Sequence, residues 1–581
     1  MLIKGVPASP GIVAGKAFVL KPEILTIPKY KIPQKEVVAE IKRYMDALAL
    51  TRKELRGIQK KVETELGESY PDIFSAHLLI LDDPSLKEKT VKIIEEENAN
   101  AEHAVAQVLE KIGMTFSKIE DKYLRERAQD FKDVGRRILK NLLGKKEETL
   151  ANLNDKVIIV AHDLAPSETA QMDKKNVLGF ATDVGGRTSH TAIMARSLTI
   201  PAVVGLGDIT QRINSGENIV IDGHEGVAII NPPRSTLERY LKKRKQLAVL
   251  EKKLDKLKKA PAQTTDGHRI SLLANIEMPK EVELLERYGA EGVGLYRTEF
   301  FFLNRSDIPS EEEQFQAYKY AAERAYPLPV VIRTLDLGGD KFASVLETPK
   351  EINPFLGWRA IRFCLARPDI FKTQLRAILR ASVYGKVSVM YPLISTLQEL
   401  RQANKILEEV KIELKKEKKE FSRDIKIGAM IETPSAAITS DLLAEEVNFF
   451  SIGTNDLIQY AMAVDRINEK IAYLYQPASP AVLRFIKHIV DSGHRKGIKV
   501  AVCGEIAGDI NLTLILLGLG VDELSMGPVA IPEVKQIIRS VSIEEARKIT
   551  EKAMSLDSTE KVVSYLKSVK EPLQLLYQLK S

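Results

Sequence analysis

The sequence predicts an α/β multidomain protein: an α/β domain with an inserted helical subdomain, a linker helix, and a C-terminal (β/α)8 TIM barrel. Three observations lead there. The chain has 581 residues, 44% of them hydrophobic, which suffices for several cores and excludes global disorder. Two β-like stretches flank a long, glycine-poor helical run. Beyond residue 270, short β-like runs alternate with helical ones.

The elements follow in order. The opening MLIKGVPASPGIVAGKAFVL is broken by Pro7, Pro10 and three glycines, so it reads as β-structure and as neither signal peptide nor anchor. Residues 34–143 are charged and helical, and form the inserted subdomain. The runs VIIVA, PAVVG, NIVID and GVAII then return to β-texture, so residues 1–33 and 144–233 make one domain. Across 234–260, Leu247, Leu250, Leu254 and Leu257 recur at three and four, the period of an amphipathic linker helix.

In residues 261–573 eight β-like runs stand out: ISLLANI, GVGLYRT, VVIRTLD, VSVMYPL, KIGAMIE, FFSIGT, IKVAVCG and DELSMG. Helical stretches such as Glu311–Ala325, Leu397–Phe421, Pro434–Glu446 and Pro480–Lys496 separate them. Eight such alternations fit a closed barrel. Residues 574–581 are left as a tail.

Charge narrows the function. The net charge is +7, but Arg234–Lys259 alone holds eleven basic and three acidic residues, a net +8 that leaves −1 elsewhere. A diffuse cationic surface for nucleic acid is not expected. No run approaches the length of a membrane span. Two cysteines, Cys364 and Cys503, make no disulfide framework and point to a reducing, cytoplasmic compartment.

Barrel chemistry gathers at the C-terminal ends of the strands. Those ends carry Asn275, Arg297, Arg333, Glu432, Asn455, Asp456 and Cys503, with Arg359 and Arg466 in the following loops. Salt bridges closing the barrel mouth would explain one such pair, but not the whole set. Arginine forks suit phosphate and carboxylate. Two carboxylates, with phosphate oxygens and waters, suit an octahedral divalent cation, Mg2+ foremost. The expected ligand is small, polyanionic and phosphorylated. Cys503 reads equally as a buried core thiol or as a proton donor.

His190 lies in Asp183-Val-Gly-Gly-Arg-Thr-Ser-His-Thr-Ala-Ile-Met-Ala-Arg. Two glycines permit a tight loop, and a helix starts beyond it, where free N–H groups favour an anion. A neutral imidazole there is a nucleophile toward phosphorus.

GGRTSHTAIMARS followed by IPAVVG resembles the phosphohistidine loop of enzyme I, the phosphoenolpyruvate–protein phosphotransferases of the bacterial sugar phosphotransferase system. GLYRTEFFF, RTLDLGGDK, NPFLGWRAIR, MIETPSAA, IGTNDLIQY and VCGEIAGD resemble that family's phosphoenolpyruvate-binding barrel. The likeness runs over essentially the whole chain. Thr433 departs from the valine usual there.

The resemblance implies a swivelling phosphohistidine domain that takes the phosphoryl group of phosphoenolpyruvate on His190, releases pyruvate, and hands the group to the carrier protein HPr. It implies that Glu432 and Asp456 ligate Mg2+, and that Arg297, Arg333, Lys341, Arg359, Asn455 and Arg466 hold the substrate anions. Cys503 would protonate the enolate, HPr would dock on the helical subdomain, and the barrel would form a homodimer. Phosphoenolpyruvate synthases and pyruvate, phosphate dikinases share these motifs but need a large ATP-binding domain. Only 189 residues precede His190, and no glycine-rich phosphate loop stands among them. A regulatory relative without activity would not need this complete set of reactive residues.

Overall fold

The computed structural model describes residues 1–20, 26–66, 71–117, 122–145, 155–164, 176–186, 191–192, 195, 198, 200–302, 307–338, 351–466, 468 and 470–579. The chain divides into two compact units, Met1–Val249 and Leu250–Ser581.

The first unit is built on an eight-stranded mixed sheet. Its strands are β1 (Leu2–Lys4), β2 (Val6–Ser9), β3 (Ile12–Leu20), β4 (Val157–Ala161), β5 (Val177–Thr182), β6 (Ala202–Val204), β7 (Asn218–Asp222) and β8 (Val227–Ile230). Their order is β1-β8-β7-β3-β4-β5-β6-β2. Strands β3 to β6 run parallel, which demands long crossovers. β4 is buried at every residue because both sheet faces are covered. Ile159 and Ala161 face Phe180, Ala192 and Ala195, while Ile158 and Val160 face Val203, Ile219 and Ile221.

β5 was not among the expected strands. Its sequence VLGFAT is interrupted by Gly179, which dilutes the β-signal. Packing explains the glycine: a Cβ there would lie 2.8 Å from Val13 and 3.1 Å from the Pro201 carbonyl oxygen.

The crossover from β3 to β4 contains the helical insert: α1 (Val37–Leu66), α2 (Pro71–Asp82), α3 (Pro84–Glu97), α4 (Ala101–Ser117) and α5 (Lys122–Leu142). It has its own core, including Tyr44, Leu55, Leu81, Ile94, Val105 and Ile138. Arg43 ties α1 to α4 by pairing with Glu40 at 2.6 Å and Glu102 at 2.7 Å. In α2, Ile80 and Leu81 are buried but Leu79 is 69% exposed.

The basic helix runs from Arg234 to Leu257, and the cut between the units falls inside it. Leu237, Tyr240 and Leu247 pack against Ile12, Val220 and Ile229 of the sheet. Its charge is not all solvated decoration. Lys243 pairs with Asp222, whose side chain is fully buried, at 2.7 Å. A buried carboxylate needs such a partner.

The second unit is a closed barrel of eight parallel strands, as the alternation predicts. They are β9 (Ser271–Ile276), β10 (Val293–Tyr296), β11 (Pro329–Arg333), β12 (Lys386–Tyr391), β13 (Lys426–Ile431), β14 (Phe449–Gly453), β15 (Lys499–Cys503) and β16 (Glu523–Met526). Outward residues such as Ile332, Val389, Phe450 and Val502 pack under the helices, while Leu295, Met390, Met430 and Cys503 meet inside the barrel.

The helices start at capping boxes where the sequence supplies them, at Ser310 with Glu313 and at Thr396 with Glu399. The stretch Pro434–Glu446 is not one helix. It forms Pro434–Ile438 and Ser440–Leu443, broken at Thr439, whose hydroxyl donates back to the Ser435 carbonyl at 2.9 Å. The stretch begun at Leu397 ends as a helix at Lys416, short of Phe421, and the last helix continues from Thr559 to Leu579. No helix among the described residues is long and apolar enough to cross a membrane.

Candidate active site

The mouth of the barrel holds a connected cluster of charge. Arg333 is the last residue of β11 and is 8% exposed. Its Nη2 donates to Glu299 Oε1 at 2.8 Å, and its Nη1 pairs with Asp336 Oδ2 at 2.8 Å. Arg359 reaches the same Asp336 at 2.7 Å and Asp456 at 3.2 Å. Burial alone would depress Arg333, but Glu299, Asp336 and Glu432 hold it firmly charged. The Asp336 side chain is 6% exposed, yet Arg333 and Arg359 draw its carboxyl below the usual range.

Glu432 follows β13 and is 2% exposed. Its Oε1 accepts the Leu393 N–H at 2.6 Å. Burial, then the Asp456 and Asp336 charges, push its carboxyl up to about 8, against the opposing Arg333 and Arg359. Asp336, Glu432 and Asp456 place carboxylate oxygens within 4.8 Å of one another. This all-oxygen donor set fits a hard divalent cation. Crowding by Asp456 and Asp336 adds to burial in keeping the proton on Glu432.

Two non-glycine residues beside the cluster have left-handed backbone. Ala360, after Arg359, has φ 53°, and Leu393, the donor to Glu432, has φ 52°. Such conformations cost roughly 1–3 kcal/mol each and persist where surrounding packing enforces them, often at functional sites.

Cys503 ends β15 at 1% exposure, inside the barrel with Leu295, Met390 and Met430. Ser451 Oγ donates to its sulfur at 3.1 Å. Burial pushes the thiol up to about 11, Ser451 opposes this, and Glu432 adds to it. The sulfur therefore keeps its proton at neutral pH.

Of the remaining sequence candidates, Arg297 pairs with Glu277 at 2.7 Å, and its charge acts on Asp336 and Cys503. Asn455 Oδ1 accepts the Glu505 N–H at 3.0 Å, which joins the helical segments that follow β14 and β15. Asn275 Oδ1 accepts from the Ser525 hydroxyl. The Arg466 backbone N–H donates to Gln459 Oε1 at 3.3 Å, and its charge lies beside Tyr475. Lys341 lies outside the described residues.

Sequence reading overlooked Asp336, Glu299 and Ser451. The first two stand three and two residues after strand-end arginines, and that spacing could have flagged them. Ser451 offered no signal within FFSIGT.

His190 also lies outside the described residues, but both stems of its loop are anchored. Asp183 is buried, accepts the Thr210 N–H at 2.9 Å, and lies 3.1 Å from His162 Nδ1. Gly185 has φ 120°, which glycine allows. Beyond the loop, the buried Thr191 hydroxyl donates to the Leu164 carbonyl at 3.3 Å.

Comparison with known proteins now bears on this arrangement. Profiles described as PEP-utilising enzyme match in three parts: the N-terminal domain over residues 4–127, the mobile domain over 153–226, and the PEP-binding domain over 251–543. The phosphoenolpyruvate-protein phosphotransferase of Priestia megaterium is 46% identical over 566 residues, covering 97% of this chain and 98% of that protein. The chain belongs to the phosphoenolpyruvate–protein phosphotransferase (enzyme I) family. The Haemophilus influenzae member is 44% identical over 553 residues, with 95% of this chain and 96% of that protein covered. The Bacillus subtilis member is 46% identical over 565 residues, with 97% and 99% covered. The barrel cluster lies within the part matched by the PEP-binding profile, and the anchored loop within the part matched by the mobile-domain profile.

Proposed function

We propose that this chain is a phosphoenolpyruvate-dependent phosphotransferase that phosphorylates its own His190, releases pyruvate, and passes the phosphoryl group to a histidine of HPr. The observation behind this reading is the cluster at the barrel mouth: buried Arg333 and half-buried Arg359, three converging carboxylates and a protonated thiol in one place. Phosphoryl transfer needs mainly positioning and charge stabilisation, and these groups supply both.

Arg297, Arg333, Lys341, Arg359 and Arg466, with Asn455, hold the phosphate and carboxylate of the substrate. Glu432 and Asp456, joined by Asp336, would hold Mg2+, which supplies charge neutralisation at the substrate oxygens when bound. The His190 imidazole attacks phosphorus, the bond between phosphorus and the bridging oxygen breaks, and pyruvate enolate departs. The Cys503 S–H then protonates the enolate carbon. Transfer requires His190 to reach the barrel mouth and later to leave it for the acceptor. The exposed Leu79 and the acidic residues between Glu68 and Asp83 suit the helical insert to HPr docking. A homodimer formed through the barrel and a cytoplasmic location complete the reading.

The test uses phosphorus-labelled phosphoenolpyruvate with Mg2+ and no nucleotide. Acid-labile, base-stable label should appear on the protein and be lost in His190→Ala. A requirement for ATP would refute the proposal and favour a synthase or dikinase.

A further inference from the structure

We propose that Ser451 is a positioning residue for Cys503, aiming the thiol and carrying the charge that its proton leaves behind. This rests on the reading of Cys503 as proton donor.

Ser451 sits on β14, 1% exposed. It pairs with Ala501 of β15, and two residues further along Gly453 pairs with Cys503. Side chains alternate along a strand, so Ser451 and Cys503 point into the barrel while Ile452 and Val502 point outward. Neighbouring inward positions hold Leu295, Met390 and Met430. An apolar residue would fill this layer without leaving a hydroxyl to satisfy, yet serine stands here. Its hydroxyl donates to the Cys503 sulfur at 3.1 Å. Among the described residues the sulfur's other polar neighbour is the Ile452 carbonyl at 3.5 Å, an acceptor, which suits the thiol and not a thiolate.

This geometry does two things. The Ser451 hydroxyl occupies a sulfur lone pair within the barrel, which fixes the sulfur for proton delivery. When the S–H bond breaks, its proton joins the methylene carbon of the enolate. The carbon–carbon π pair forms the new C–H bond, the enolate oxygen becomes the ketone oxygen, and the S–H pair stays on sulfur. The negative charge thus moves from enolate to thiolate. In a layer of leucine and methionine the Ser451 O–H meets that charge. Hydrogen bonds to charged acceptors are markedly stronger than those to neutral ones.

The experiment compares the full-length wild type with Ser451→Ala, Ser451→Thr and Cys503→Ala under saturating Mg2+. Steady-state pyruvate formation is measured in H2O and D2O with HPr in excess, so that phosphorylated His190 is discharged in each cycle. Ser451→Ala should lower kcat roughly 10- to 100-fold, the range for one hydrogen bond to a charged group, with KM for phosphoenolpyruvate unchanged. Its solvent isotope effect on kcat should rise as proton delivery becomes limiting. Ser451→Thr, which keeps the hydroxyl, should recover most of the rate and the wild-type isotope effect. A merely structural serine would not move the isotope effect. Wild-type turnover in Ser451→Ala would overturn the proposal, as would a loss that Ser451→Thr fails to recover while remaining folded. A wild type that makes no pyruvate would instead refute the proposed function. Cys503→Ala turning over as fast as wild type would remove the donor role on which Ser451 depends.

Discussion

Replacing Gly453 by alanine should damage the proposed cation site without replacing any of its candidate ligands. Gly453 ends β14 with φ −79° and ψ 80°, which alanine tolerates. The obstacle is space. A Cβ there would lie 2.3 Å from Glu432 Oε2, 2.8 Å from Glu432 Cβ and 3.0 Å from Met430 Cγ. Glu432 cannot retreat freely, because it is 2% exposed and its other oxygen holds the Leu393 N–H at 2.6 Å. Overpacking costs roughly 1–3 kcal/mol, and stranding the Leu393 N–H roughly 1–3 kcal/mol. Together these amount to roughly 2–6 kcal/mol, or roughly 4–12 °C in Tm at about 2 °C per kcal/mol for a large domain. The assay is thermal unfolding across a Mg2+ titration. Gly453→Ala should melt lower, and its Mg2+-induced rise in Tm should shrink or vanish. A variant with wild-type Tm and a full Mg2+ shift would refute the steric argument and the place of Glu432 in the site.

Three further outcomes follow from the same cluster and its support. Glu432 is raised from 4.5 to about 8, so its contribution to the cation-free protein is full below pH 4.5 and is lost as pH rises through about 8. In chelator, Tm should fall between about pH 5 and 8. A divalent cation must displace that proton, so its affinity should rise up to about tenfold per pH unit below 8, and isothermal titration showing flat affinity would contradict this. Gln374 is buried behind the arginines, donating to Thr298 Oγ1 at 3.1 Å and Tyr318 Oη at 3.2 Å and accepting the Leu335 N–H at 2.9 Å. Thr298 in turn donates to the Arg333 carbonyl at 3.0 Å. Gln374→Leu should cost roughly 2–4 kcal/mol from stranded buried groups and raise KM for phosphoenolpyruvate, read from denaturant unfolding and steady-state kinetics.

Much of this arrangement was legible beforehand. All eight barrel strands, the basic helix and the strand-end residues Arg333, Glu432, Asp456 and Cys503 follow from periodicity and position. Strand β5 escaped because Gly179, demanded by its neighbours, weakens the local pattern. The break at Thr439 escaped because helical spacing on both sides conceals it.

Sequence alone determined the alternation that closes the barrel, the candidate side chains at its mouth, and the family, because each is written in local spacing and motif. Tertiary structure decided which groups share a charge environment. Asp336 reads as an ordinary loop acid, yet closure sets it between Arg333 and Arg359 and beside Glu432. Ser451 and Cys503 are 52 residues apart in the chain and 3.1 Å apart in the barrel. The +7 net charge shows the same division. Most of the excess sits on one helix, but only the fold reveals that Lys243 within it neutralises a buried aspartate. Burial and proximity set proton affinities and ion pairing, and both arise only when distant segments close around one another.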